Sequence, residues 1–390
     1  MGNTPADRAG GAIAEGPAAA ARRRVLLLRF HALGDVVLTT GVARVLAGRG
    51  SGGPAAVEVA TEPRYLAVFR GLPWISRLWT REEIERASEL PLSEGAEPAS
   101  PAGGEGAGRR PRFDLVIDLQ GTPGSRRLAS RLGPRRVVRT RSALRRWVVF
   151  WGDRYPRPAV PHAVARYAEA AGLEWRSDPS EHRPVVQATE EERAQAMALA
   201  PEAFGCPDRT AVALLCGASR RTKEYPPERL ARVGRLLLEA GCPVWWVEEP
   251  AEGTPASARS GATGEVGAGV NRASAPAEWP VYRLPLAPLK ALLARAACVV
   301  TSDSGPMHLA SAVGTPVVAI FGSSVPAFGF TPAGPHDRVL AVEDLACRPC
   351  GVHGRQSCWL GHWRCLRDLE PVRLVAELLD LASAEGSTVR

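Results

Sequence analysis

Apolar positions fall into two successive series of alternating strand and helix. The first begins at Arg23. RVLLLRF is an apolar run of strand length, HALG reads as a turn, and DVVLTTGVARVLAG spaces its apolar residues as one face of a helix. Further strands are predicted at 56–60, 113–119 and 136–139, and a helix over 161–175 that ends at Gly172. The second series opens with a strand and loop at 210–219, followed by a helix at 226–241 with prolines at its start, and the strand CPVWWVEE. After the helix LPLAPLKALLARAA comes the stretch 301–322, TSDSGPMHLASAVGTPVVAIFG, which reads as strand end, sharp turn, short helix and buried strand. An apolar helix at 371–383 closes the chain.

Two such series predict an α/β chain with two Rossmann-like domains facing across a cleft. The expected organisation is a disordered N-terminus over 1–21, a first domain over 22–185, a polar linker over 186–209, a second domain over 210–370 and a C-terminal helix over 371–390. Residues 83–112 and 251–279 are rich in small and polar residues with little apolar pattern. They are expected to be flexible inserts.

Charge changes this picture only in part. The 390 residues carry a net charge of +8, which favours anionic partners. Nearly all the basic residues are arginine, Lys223 and Lys290 excepted, and the chain is also rich in Ala, Gly and Pro. That bias resembles a codon effect, so arginine counts say little and a retained lysine says more. Residues 126–157 hold eleven arginines and one acid, Asp153. They form either a solvated surface or a basic wall for an anionic acceptor or a membrane surface. No nucleic-acid-binding module is recognisable, and no nucleic-acid partner is expected. No apolar run approaches the roughly 18 residues of a membrane span. The arginines near the N-terminus follow the apolar part, the reverse of a secretory signal, and the eight cysteines do not suggest a disulfide framework. Cytoplasmic residence is expected.

The candidate chemistry sits where strands end and helices begin. Turns there present free N–H groups and a helix dipole to anions. Ser304-Gly305 makes such a turn, with Asp303 before it and His308 one helical turn after. Asp303 is either a cap or a sugar-facing acid, since an acid beside phosphates is unfavourable. His308 is either a core histidine or part of the same mouth. Asp35 is either an N-cap acid or a carboxylate base at the cleft. Lys223 is either a solvated loop charge or a phosphate ligand, with Ser219, Arg220 and Arg221 available beside it. The chain has no Asp-x-Asp pair to hold a hard divalent cation, which favours a cationic side chain and a helix terminus as the stabilisers of a leaving diphosphate. In the loop 347–365, Cys347, Cys350, Cys358 and Cys365 are interspersed with His353 and His362. They could hold a structural zinc or remain reduced thiols.

Taken together, VLLLRFHALGDVVLTTGVARVL, FDLVIDLQGTPGSRRLASRLG, HAVARYAEAAGLEW, GASRRTKEYPPERL and the 301–322 block resemble glycosyltransferase family 9, the bacterial ADP-heptose:lipopolysaccharide heptosyltransferases. The tail CRPCGVHGRQSCWLGHWRCLRDLEP is similar to that of some members. The resemblance implies a GT-B fold with an N-terminal acceptor domain and a C-terminal nucleotide-sugar domain. It implies Asp35 as general base and Lys223 as a ligand of the donor phosphates. It further implies that Asp303, Ser304, Gly305 and His308 hold phosphate and sugar. The ribose-binding acid falls on Glu252, with Glu249 close by; the usual Gly-Gly before it is Glu248-Glu249 here. The implied reaction is an inverting, metal-independent transfer of heptose from ADP-L-glycero-D-manno-heptose to the anionic inner core of lipopolysaccharide (Kdo-lipid A or heptosyl-Kdo-lipid A), with peripheral contact at the inner membrane. Two rivals remain at this point: a GT-B transferase using another nucleotide sugar, and a non-catalytic basic binding module.

Overall fold

A computed structural model describes residues 23–49, 54–91, 110–137, 144, 147–149, 160–173, 179–248, 275–276 and 279–384. The expected disordered terminus, most of the two inserts, Glu249, Glu252 and residues 385–390 lie outside them.

Each apolar series becomes one parallel sheet. The first contains β1 (Arg23–Leu28), β2 (Ala55–Thr61), β3 (Ile75–Thr80), β4 (Leu115–Asp118) and β5 (Arg135–Val137), in the order β3-β2-β1-β4-β5. The second contains β6 (Val212–Cys216), β7 (Val244–Glu248), β8 (Val281–Tyr282), β9 (Cys298–Ser302), β10 (Val317–Ile320) and β11 (Arg338–Leu340), in the order β11-β10-β9-β6-β7-β8. Their central strands are largely apolar and buried because helices cover both faces of a parallel sheet. β6 and β9, for example, are buried at every position.

Both orders reverse direction beside their first strand. The switch lies between β1 and β4 in one sheet and between β6 and β9 in the other. Open α/β sheets bind ligands at the carboxyl ends of the strands flanking such a point. The chain therefore aims four loops at two crevices. This is the GT-B architecture: two Rossmann-like domains face each other.

The helices, in chain order, are α1 (Leu33–Arg49), α2 (Arg81–Ser88), α3 (Pro123–Leu132), α4 (Ala163–Ala171), α5 (Glu190–Leu199), α6 (Pro201–Gly205), α7 (Pro227–Glu239), α8 (Leu286–Arg295), α9 (Gly305–Ala312), α10 (Arg364–Arg367) and α11 (Pro371–Ala384). Two segments hold more secondary structure than their composition suggests. The segment predicted as insert from residue 83 begins inside α2. Thr80 and Glu83 cap that helix reciprocally, and Ile84 is its one large buried apolar side chain, with Ala87 beside it, too little for a periodic signal. The span 186–209, expected as a polar linker, contains α5 and α6. Thr189 and Glu192 form the capping box of α5, whose three consecutive glutamates suit a helix N-terminus.

The domains meet closely. α1 packs on α9, and one apolar cluster joins Val36 and Val37 to Met307 and Leu309. Backbone bonds reinforce the seam: Val160 N–H donates to Ala327 O at 2.9 Å, Ala163 N–H to Gly329 O at 2.8 Å and Val186 N–H to Ala312 O at 2.9 Å. α11 stays with the second domain, where Leu374, Leu378 and Leu381 are buried with Val212 and Val300. Among the described residues no helix is long and apolar enough to cross a membrane.

Candidate active site

The site is built where the starts of α1 and α9 face each other. β1 ends in the turn that places Gly34 and Asp35 in the first turn of α1. β9 ends in Asp303-Ser304, with Gly305 and Pro306 opening α9. Contact between the turns leaves no room for a methyl group. A Cβ on Gly34 would stand 2.6 Å from His308 Cδ2, and one on Gly305 would stand 2.9 Å from Leu33 Cβ. Asp35 and His308, 273 positions apart by number, thus share one small volume.

Both oxygens of Asp35 are engaged. The Arg29 guanidinium pairs with Oδ2, and the Tyr167 hydroxyl donates to Oδ1. Arg29 is itself braced by Leu119 O at 2.5 Å, at the end of β4, and lies 5.8 Å from the Tyr167 ring centroid. Burial, then the Asp35 charge, push the Tyr167 phenol above its ordinary value, so it remains a donor. Neither partner was found from the sequence. The signal available was a lone tyrosine in the alanine-rich α4 and an arginine ending an otherwise apolar strand.

The second wall carries the positive charge. Lys223 lies in the turn after β6 and binds Asp303 Oδ2 at 2.7 Å, and Ser324 Oγ donates to the same oxygen at 2.5 Å. Asp303, read from the sequence as a cap or a sugar-facing acid, thus also pairs with Lys223. A largely buried ammonium requires a counter-charge, and Asp303 supplies it. The lysine turn is fastened to the Cys-rich loop. Thr222 Oγ1 lies 2.8 Å from Ser323 Oγ and accepts from Arg355 N–H at 2.7 Å, while Gly354 sits against the Lys223 stem.

Ser304 caps α9 without a side-chain hydrogen bond to the helix, and no acid occupies the first turn. The terminal N–H groups and the positive end of the dipole therefore keep their pull on an anion. Ser219 and Arg220 are exposed on the loop after β6. Burial pushes His308 down to about 4, against the opposing pull of Asp303, so the ring is neutral near pH 7. Its buried Nδ1 has no hydrogen-bond partner among the described residues. His162 caps α4 and meets Thr331 O at 2.9 Å across the domain seam.

Glu248, which with Glu249 occupies the place of the usual glycines, is committed elsewhere. It holds Arg283 at 2.5 Å and accepts from Trp246 Nε1 at 2.7 Å. The two ribose candidates, Glu249 and Glu252, lie outside the described residues. Of the arginine-rich stretch, Arg126, Arg127, Arg131, Arg135 and Arg136 are exposed along α3 and the edge strand β5. The stretch beyond residue 137 lies largely outside the described residues.

Cys347, Cys350, Cys358 and Cys365 are all free thiols. Burial pushes Cys350 up and Cys365 up to about 12, and neighbouring thiols add to both shifts. Burial would also raise Cys358, but the backbone N–H groups of Trp363, Leu360, His362 and Gly361 outweigh it and hold the thiol below its ordinary value. Such a nest suits a thiolate. Even so, no three His, Cys, Asp or Glu side chains among the described residues are placed to hold a metal ion. No chemistry is derived through a metal here.

The chain matches the model of glycosyltransferase family 9 (heptosyltransferase) over residues 108–359. It is 27% identical to lipopolysaccharide heptosyltransferase 1 of Pseudomonas aeruginosa over 340 residues, covering 84% of this chain and 86% of that protein. A lipooligosaccharide heptosyltransferase 2 of Campylobacter jejuni is 36% identical over 87 residues, 22% of this chain and 25% of that protein, so this match spans only about a quarter of the relative. Among solved structures, ADP-heptose lipopolysaccharide heptosyltransferase II of Escherichia coli superimposes with a TM-score of 0.60 at 18% identity, covering 93% of this chain and 99% of that one. At that identity the likeness speaks for the fold.

Proposed function

The chain belongs to glycosyltransferase family 9, and from that premise we propose that it moves a heptose from ADP-L-glycero-D-manno-heptose to the inner core of lipopolysaccharide, inverting the anomeric centre. The observation that carries this reading is the meeting of two helix starts. Asp35 stands on one domain, and the uncapped terminus of α9 with Lys223 stands on the other. An acceptor hydroxyl held by the first and an anomeric carbon held by the second are brought into line.

In the displacement, the acceptor oxygen attacks the anomeric carbon while Asp35 takes its proton. The bond from that carbon to the diphosphate oxygen breaks, and its electron pair leaves with ADP. The transition state gains positive charge at the sugar and negative charge at the leaving oxygen. Lys223 and the N–H groups at Ser304-Gly305 meet the negative charge as it develops. Asp303 keeps the ammonium in position and presents its remaining acceptor capacity to the sugar. His308, neutral, offers a ring nitrogen rather than a second cation. The exposed arginines of α3 and β5 suit an anionic acceptor. The enzyme would work at the cytoplasmic face of the inner membrane, in peripheral contact with it.

The test is transfer from a panel of ADP-, GDP- and UDP-sugars to Kdo-lipid A and heptosyl-Kdo-lipid A, followed by mass spectrometry. ADP-heptose should be used and the others not. Asp35→Ala should lose about 10²–10⁴-fold in kcat and still bind ADP. Near-normal turnover in that variant would overturn the base assignment, and preference for another donor would overturn the heptose reading.

A further inference from the structure

We infer that Tyr167, together with Arg29, is a positioning residue for the reaction: the pair clamps the Asp35 carboxylate from both oxygens and fixes which of its lone pairs meets the acceptor hydroxyl. This rests on the reading of Asp35 as the base. Tyr167 comes from α4, far along the chain from Asp35, and is 2% exposed. Its hydroxyl donates to Oδ1, while Arg29 holds Oδ2 and is anchored by Leu119 O. With one donor on each oxygen, rotation of the carboxylate about its Cβ–Cγ bond would break both contacts.

The clamp is tied to the second domain. At the start of α4, four positions before Tyr167, Ala163 N–H bonds Gly329 O, and His162 meets Thr331 O. Docking of the domains thereby sets the height of α4 and the reach of the Tyr167 hydroxyl. Base orientation and donor-domain docking are coupled through the same helix.

The charged and titratable groups around Asp35 are Arg29 after β1, Tyr167 with Arg166 behind it on α4, and His308 on α9, with His162 and the Lys223–Asp303 pair beyond. His308 stands beside the same carboxylate, so activity alone does not isolate Asp35.

The experiment combines kinetics with a direct readout of the carboxyl group. Tyr167→Phe keeps the ring and removes only the donor. Its kcat should fall about tenfold or more, the size of a lost bond to a charged group, while the donor KM stays within about twofold. Carbon-13 NMR of the Asp35 carboxyl at about pH 7 should show a changed chemical shift without any substrate. Arg29→Lys, which cannot reach both Asp35 and Leu119 as a fork does, should lower kcat in the same direction. ADP binding and a cooperative melt confirm that each variant is folded. If folded Tyr167→Phe keeps the wild-type kcat and carboxyl chemical shift, the positioning role is wrong. If the chemical shift changes but wild type transfers no heptose, the clamp stands and the substrate reading falls.

Discussion

At the residue scale, His308 shows how one position serves contact and charge together. Its ring fills the space that Gly34 leaves empty, and burial holds it neutral. A histidine whose folded value is about 4 and whose ordinary value is 6.5 binds fewer protons folded than unfolded between those limits. Stability therefore rises with pH through that window and is lost as pH falls from 6.5 toward 4. The gap corresponds to on the order of 3 kcal/mol. Urea unfolding at pH 7 and pH 4 should show wild type losing more stability than His308→Gln by about that amount. Equal losses would assign the acid sensitivity to other groups, such as His162 and His182, which burial also lowers.

The lysines show what scarcity in a sequence can reveal. The same argument applied to both Lys223 and Lys290. One pairs with Asp303 at the start of α9 and the other is a wholly buried staple, because composition reports that a residue is retained and not where it points.

At the element scale, the two helix starts form the functional unit. α1 and α9 approach so closely that Gly34 and Gly305 have no room for a side chain. Gly305→Ala would set its new methyl 2.9 Å from Leu33 Cβ, part of a main helix rather than the end of a flexible chain. It should cost about 1–3 kcal/mol and lower kcat by at least tenfold while ADP binding changes less. A variant with normal kcat would mean the seam can widen without disturbing the site. Long, strongly apolar elements such as β1, α7 and α11 were legible from periodicity. Several others were not. β8 has only two residues, and α2 and α5 owe their existence to capping boxes and to partners elsewhere in the fold.

At the scale of the whole molecule, a single ammonium joins three segments. Lys290 on α8 is 0% exposed. It binds Glu192 of α5 at 2.7 Å and Ala67 O of the first domain at 2.6 Å. Burial lowers its pKa against the pull of Glu192. Removing one partner of such a pair strands the other charge in the core. Lys290→Met should destabilise by about 3–5 kcal/mol, and adding Glu192→Gln should recover part of the loss in a double-mutant cycle. Additive effects in urea unfolding would show the pair to be uncoupled. With its backbone seam and shared apolar cluster, this staple sets the orientation in which Asp35 meets the donor wall.

Sequence alone determined the two β/α series, the turns at Asp35 and Ser304-Gly305, and the scarcity that singles out Lys223 and Lys290. These are local matters: periodicity, turn chemistry and helix termini act over a few residues and leave their mark in order. The tertiary structure decided the rest. It paired Lys223 with Asp303, set Tyr167 on Asp35 opposite Arg29, and lodged His308 against Gly34. Apart from the local Arg29–Asp35 pair, each of these joins residues far apart in the chain. Such partnerships follow from how the sheets wind and how the domains dock, and no local pattern encodes them.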